Sequence, residues 1–245
     1  AGNHQAGNHQ AGNHQAGNHQ AGKKIVLIGG ANSEGPGRHE YAAGIRAIQT
    51  LLEAAPATQH ADVVVLDAWP EQSAMLDDAA TLVLYFDGLD QHPLRDPAHR
   101  RQFEALMRRG VGLVALHQAS TVPSDDRDID LRQWLGAERV GTFDRTTETA
   151  TLQPADAAHP VVRGVGAFTY RDEFYPTLRF AEHGVTALLR GVLHVQYRDG
   201  ANIVADLPET QTVAWAYERA QGGRSFGYSG GHYLAALDQP MLRKT

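Results

Sequence analysis

The chain contains no cysteine. That excludes disulfides, thiolate metal ligands and a cysteine nucleophile. It leaves the compartment open, since a cysteine-free soluble protein suits the cytoplasm as well as a periplasmic or secreted setting after processing. No apolar run approaches the ~20 residues needed to cross a bilayer, so no membrane partner is expected. Basic residues are in deficit, 22 Lys and Arg against 28 Asp and Glu, for a net charge of −6, and nucleic acid is not an expected partner. GxGxxG is absent and no acidic residue stands where a dinucleotide ribose would need one, so no nucleotide cofactor is expected. HExxH and the GxSxG elbow are absent too. There is no initiator Met and no signal peptide, and the chain stops soon after a last helical stretch opens; both features read as those of a processed or trimmed chain.

What is present begins with AGNHQ four times and then AG, which gives residues 1–22 no apolar side chain larger than Ala. Such a segment cannot bury enough surface to offset its ordering entropy, so it reads as a disordered low-complexity arm. Four of the thirteen histidines lie in it, where they bind metal weakly or are simply solvated. Residues 23–245 have the length of one α/β domain, and the chain as a whole, with 42% hydrophobic residues and a mean hydropathy of −0.38, is ordinary for a soluble globule.

Apolar runs bounded by turn residues predict strands at 24–30, 61–68, 80–86 and 111–116. Helical spacing predicts helices over 40–55 and 97–109. The alternation implies a parallel sheet covered on both faces. Beyond Thr121 the pattern loosens. A short helix is expected at 129–135 and strands at 146–153, 185–192, 213–217 and 224–228, with a tight turn at Gly222-Gly223 and a helix after Tyr233.

Ligands of open α/β sheets sit beyond the carboxyl ends of the strands. There the sequence places His39, Glu40 and Tyr41 after the first strand, Asp87 after the third, His117 after the fourth, and Gly231 and His232 after the last. A carboxylate pair, Asp172-Glu173, lies in RDEFY. Three histidines and a carboxylate are a reasonable set for one divalent metal, zinc or similar. Neutral imidazole is equally a general acid or base near pH 7. Each residue also has a structural reading: helix capping for His39, strand-end packing for His117, a backbone anion nest at His232, an ion pair with Arg171 or Arg179 for Glu173. Packing suits Trp69, Trp134, Trp215 and His194, and a turn suits His159. His60, His92, His99 and His183 read as solvated.

Several segments together resemble the ThuA-like (trehalose utilisation) family: KIVLIGG…RHEY, VGLVALHQAS, AHPVVRGVGAFTYRDEFY and VAWAYERAQGGRSFGYSGGHY. The resemblance implies a fold of the class I glutamine amidotransferase-like group, a flavodoxin-like three-layer α/β/α sandwich with a mostly parallel sheet. In that group a Cys follows the central strand. Here His117 stands there, so amidotransferase chemistry is not expected. The resemblance also implies His39, His117 and His232 as metal ligands and His117, Glu173 and Asp172 as the catalytic set. Tyr41, Asp87, Tyr175 and Gly231 are then expected to bind substrate. Neighbours on a strand point to opposite faces, so if only one of the pair reaches the site, the family pattern favours Glu173. Residues 141–145 depart from relatives that place a His nearby.

Three functional expectations follow. The first is a metal-assisted enzyme acting on a disaccharide or keto-sugar by isomerisation, elimination or hydrolysis. The second is a metal-free sugar-binding module. The third is a scaffold unit displayed by the AGNHQ arm. A small carbohydrate is the expected partner, and a homo-oligomer is compatible with all three.

Overall fold

The computed structural model describes residues 22–141 and 145–244, so the expected arm lies outside the described residues save for Gly22. The first apolar run forms β1 (Lys24–Ile28), whose last three residues are wholly buried. On either side of it, β2 (Asp62–Leu66) and β3 (Ala79–Leu84) pair in parallel. The fourth strand, β4 (Gly112–Leu116), extends the parallel set beyond β3.

Two longer helices connect these strands. The first, α1 (Tyr41–Ala54), buries Tyr41, Gly44 and Ile45. Gly44 costs helix propensity, but a Cβ there would lie 2.3 Å from the Tyr85 ring. The glycine thus lets Tyr85 reach past the helix toward the site. The second, α2 (Pro97–Arg108), starts where the Asp96 carboxylate accepts the N–H groups of Ala98 and His99, with Pro97 in the first turn. It buries Phe103, Leu106 and Met107.

Past β4 come β5 (Thr121–Val122), α3 (Arg132–Leu135), β6 (Ala137–Val140), β7 (Thr146–Pro154) and β8 (Phe168–Phe174). Then follow β9 (Arg179–Phe180), β10 (Val185–Asp199), β11 (Asn202–Glu218) and β12 (Arg224–Tyr228). Nine strands make one sheet in the order β2-β1-β3-β4-β12-β11-β10-β7-β8, and β5, β6 and β9 make a small second sheet. The large sheet is parallel as far as β12, which lies beside β4, and antiparallel beyond it. The expected mostly parallel sheet is therefore a mixed one. Short hairpin turns join β10 to β11 and β11 to β12, and such connections leave no room for crossover helices. Helical cover is correspondingly thin, with three α-helices among the described residues.

Three further expectations need correction. The strands expected at 185–192 and 213–217 are the inner parts of a hairpin that runs over 185–199 and 202–218. The helix expected after Tyr233 is a 3₁₀ turn, Leu234–Asp238. His92, expected in solvent, is buried edge-on to Phe86, and its Nδ1 accepts the Leu94 N–H. His159 does the same for Val161 in the other His-Pro turn. All three tryptophans are in the core, as expected.

Candidate metal centre

Three loops that leave the parallel strands bring one imidazole each to a common point. His39 follows β1, His117 follows β4 and His232 follows β12. His39 and His117 have positive φ, 45° and 51°. A non-glycine residue in this region is uncommon and marks strain held by its surroundings. In both cases the strain turns the ring inward.

His39 Nε2 lies 3.1 Å from His117 Nε2 and 2.9 Å from His232 Nδ1. Glu173 Oε1 approaches within 3.8 Å of His117 Nε2 and 3.9 Å of His232 Nδ1. All four ligand atoms fall within 4.8 Å of one another, and all four residues are buried.

Neighbouring groups assign the protons. His117 Nδ1 faces the Ser229 carbonyl at 2.9 Å, so it carries the hydrogen and donates it. His39 Nδ1 faces Ser33 Oγ at 3.0 Å and Glu34 Oε1 at 3.4 Å. The Glu34 carboxylate can only accept, so the hydrogen of His39 lies on Nδ1. His232 Nε2 faces Glu34 Oε2 at 3.8 Å. Each ring thus directs its hydrogen outward and its lone pair inward. The His39 lone pair stands about 3 Å from each of the other two, and such lone pairs repel unless a cation lies among them. Buried carboxylate Oε1 of Glu173 has no hydrogen-bond partner and faces the same point. Zn–N bonds of ~2.0–2.1 Å put two ligands of one tetrahedral ion roughly 3.3 Å apart, close to the spacing found here. The donor set therefore fits a divalent metal.

Electrostatics agree with neutral rings. Burial, then the neighbouring His232, holds His39 down at about 4. Burial lowers His117 well below its ordinary value and lowers His232 too. Burial raises Glu173, against the pull of Arg145 and Arg139. Neutral imidazoles are the form that binds metal.

The other expected residues divide. Tyr175 stacks on the His117 ring at 4.7 Å, and its hydroxyl lies 3.0 Å from His117 Nε2. The Arg139 guanidinium lies over the opposite partner, 4.2 Å from the Tyr175 ring centre. Asp172 points away from Glu173, as alternation on β8 requires. Its carboxylate accepts the N–H groups of Gly231 at 2.6 Å and His232 at 3.1 Å. Burial pushes it up to about 6 despite these bonds. It sits behind the His232 turn, where it cannot touch a substrate held by the imidazoles. Gly231, expected to bind substrate, has no free backbone group, because Asp172 takes its N–H and the Tyr85 hydroxyl donates to its carbonyl at 2.5 Å. Its φ of 100° explains the glycine. Tyr41 is wholly buried and stacks on His39 at 5.2 Å, so it backs the ring instead of facing a ligand. Asp87 is half-buried beside Ser33.

Sequence reasoning missed Ser33, Glu34 and Arg145. The first two stand in the loop between β1 and α1, and only the fold shows that they face His39. Arg145 Nε lies 3.9 Å from Glu173 Oε2 at the rim. An apolar groove of about 360 Å³ lined by Leu51, Leu52, Phe226 and Leu237 lies behind the site. Its lining carries no histidine and no carboxylate.

Fold and site together define a mixed α/β protein with a buried three-histidine, one-carboxylate centre at the ends of its parallel strands. The trehalose utilisation family, ThuA, matches residues 24–245, and the chain belongs to it. Solved structures agree on the fold. A ThuA-like protein from Bacteroides uniformis superposes with a TM-score of 0.62 at 13% identity, over 92% of this chain and 89% of that one. A cytoplasmic protein from Salmonella typhimurium gives 0.56 at 12% identity, over 90% and 95%. A β-galactosidase from Bacillus circulans sp. alkalophilus gives 0.55 at 12% identity, over 91% of this chain but 30% of the enzyme. No curated protein matches the chain. No helix among the described residues is long and apolar enough to cross a membrane.

Proposed function

We propose that this chain is a metal-assisted enzyme acting on a disaccharide or keto-sugar. The observation that carries the reading is the inward convergence of three imidazole lone pairs and the unpartnered Glu173 oxygen. The family's link to trehalose use supplies the substrate class. We read the parallel half as the flavodoxin-like layer of an amidotransferase-like sandwich. In it, the left-handed turn at His117 stands where relatives of that group carry a nucleophile.

His39, His117 and His232 would hold the ion, which supplies Lewis acidity toward a carbonyl or hydroxyl oxygen. The chain's own residues do the rest. Glu173 accepts a proton from the carbon beside a carbonyl, its raised pKa bringing its basicity toward that task. Tyr175, wholly buried and stacked on His117, holds that ring in place through its hydroxyl. Asp172 positions His232 through the backbone and touches nothing that reacts. Proton removal next to a carbonyl serves isomerisation and elimination alike.

Elemental analysis tests this on protein purified without a His tag, with and without residues 1–22. About one divalent ion per chain is expected in both forms, with loss of ion and turnover in His117→Ala. Absence of metal from both forms would move the reading to a sugar-binding module.

A further inference from the structure

A second cavity shares a wall with the histidine centre. It holds about 310 Å³ and lies beyond the carboxyl ends of β1 and β3. From β1 the chain passes to β2 on one side and then to β3 on the other. The cavity is therefore at the point where the strand order reverses, the usual ligand crevice of an open α/β sheet. Ser33 is the shared wall: it lines this cavity and bonds His39 Nδ1.

The lining limits what fits. Asn32, Asp67, Asp87 and Gln91 offer donors and acceptors, and Trp69 gives an apolar surface. Neither Arg nor Lys lines the cavity, so a phosphate or carboxylate would meet no counter-charge. A cation would find a single unpaired carboxylate, Asp87, because Asp67 is paired with Arg46. Asn32 Oδ1 accepts the Ala42 N–H, which leaves its NH₂ to donate. Mixed donors and acceptors without net demand for charge, beside an aromatic ring, suit a neutral polyhydroxylated ring. The volume is at the low end of ligand pockets and accommodates one such ring.

We propose that this crevice is the subsite for the second, non-reacting ring of a disaccharide whose first ring lies at the imidazole cluster. The proposal rests on the carbohydrate reading above and adds to it the length of the substrate. Asp87, Asn32 and Gln91 bond the ring hydroxyls, and Ser33 marks the boundary between the two rings.

The test is calorimetry on full-length, metal-loaded protein with trehalose and with glucose. Two crevice variants are compared, Ala68→Trp, which fills the space from an exposed position, and Gln91→Ala, which removes one polar partner. Trehalose affinity is expected to fall at least tenfold in Ala68→Trp and severalfold in Gln91→Ala. Glucose affinity should stay within twofold, with metal content and melting temperature unchanged. Unchanged trehalose affinity in both variants, or equal loss for the two sugars, overturns the subsite while leaving the carbohydrate reading in place. If the unaltered protein binds neither sugar, the subsite falls, and the keto-sugar form of the reading is left to the metal and turnover test above.

Discussion

The two halves of the large sheet contribute to the centre in different ways. The parallel half supplies all three imidazoles, each from a loop just beyond a strand end, and two of those histidines sit in left-handed backbone. The antiparallel half supplies the carboxylates from inside a strand, β8, with ordinary alternation and no strain. Loops place a ligand atom by spending backbone strain, whereas a strand places two side chains on opposite faces at no conformational cost. So the two neighbours on β8 take different work: Glu173 faces the imidazoles and Asp172 grips the turn that carries His232. β8 is at the far edge of the sheet order, yet it bonds residues 231–233, so the antiparallel half curls back over the parallel one.

This division can be pushed until it breaks. The largest effect is expected from Glu173→Gln, which keeps the shape and removes the base. Turnover should drop about 10²-fold or more, with metal content retained. Full activity would return Glu173 to a structural role. Asp172→Asn should act on the fold, because an amide NH₂ would be set against backbone donors. A loss of roughly 2–3 kcal/mol in denaturant unfolding is expected. Loss of turnover without loss of stability would show that Asp172 reaches the substrate after all. The smallest effect concerns acid. His39 has a folded value of about 4 against an ordinary 6.5, so between these the unfolded chain binds more protons. Its contribution makes metal-free stability rise with pH across that window and level off above it. Asp172, raised to about 6, works with the opposite sign between its ordinary value and 6. The difference between unaltered protein and His39→Gln isolates the first term. The variant's stability should rise less from pH 4.5 to 7, by about 2 kcal/mol. Parallel curves would mean that the His39 ring is not held neutral.

Much of the parallel half was legible in the sequence, since buried strands such as 24–28 are unbroken apolar runs closed by glycine. The positions of His39, His117 and His232 followed from those strand ends. The outer hairpin was not legible. Ile203, Val204 and Leu207 are exposed there, so no apolar-in, polar-out alternation appears, and Pro208 reads as a strand breaker. Pro208 is tolerated because β12 pairs with β11 only from Ala214 onward, leaving that stretch of β11 open on one side. His92 misled for a related reason: its polarity suggested solvent, but in a His-Pro turn its ring serves the backbone and is folded under Phe86. Tyr41 and Gly231 were correctly placed beside the site, but nothing in a sequence tells a residue that faces a ligand from one that backs a ligand holder.

The seam between the halves has a consequence for folding. Bonds such as those from Asp172 to residues 231–233 join positions some sixty residues apart, and contacts of that separation form late. A chain with its parallel half organised and β8 not would lack both Glu173 and the grip of Asp172 on the His232 turn. An ion that binds only the completed arrangement draws the equilibrium toward it by mass action. On the metal-assisted reading proposed above, metal supply would then act on abundance as well as on rate, and a starved cell would hold a shorter-lived protein before a slower one.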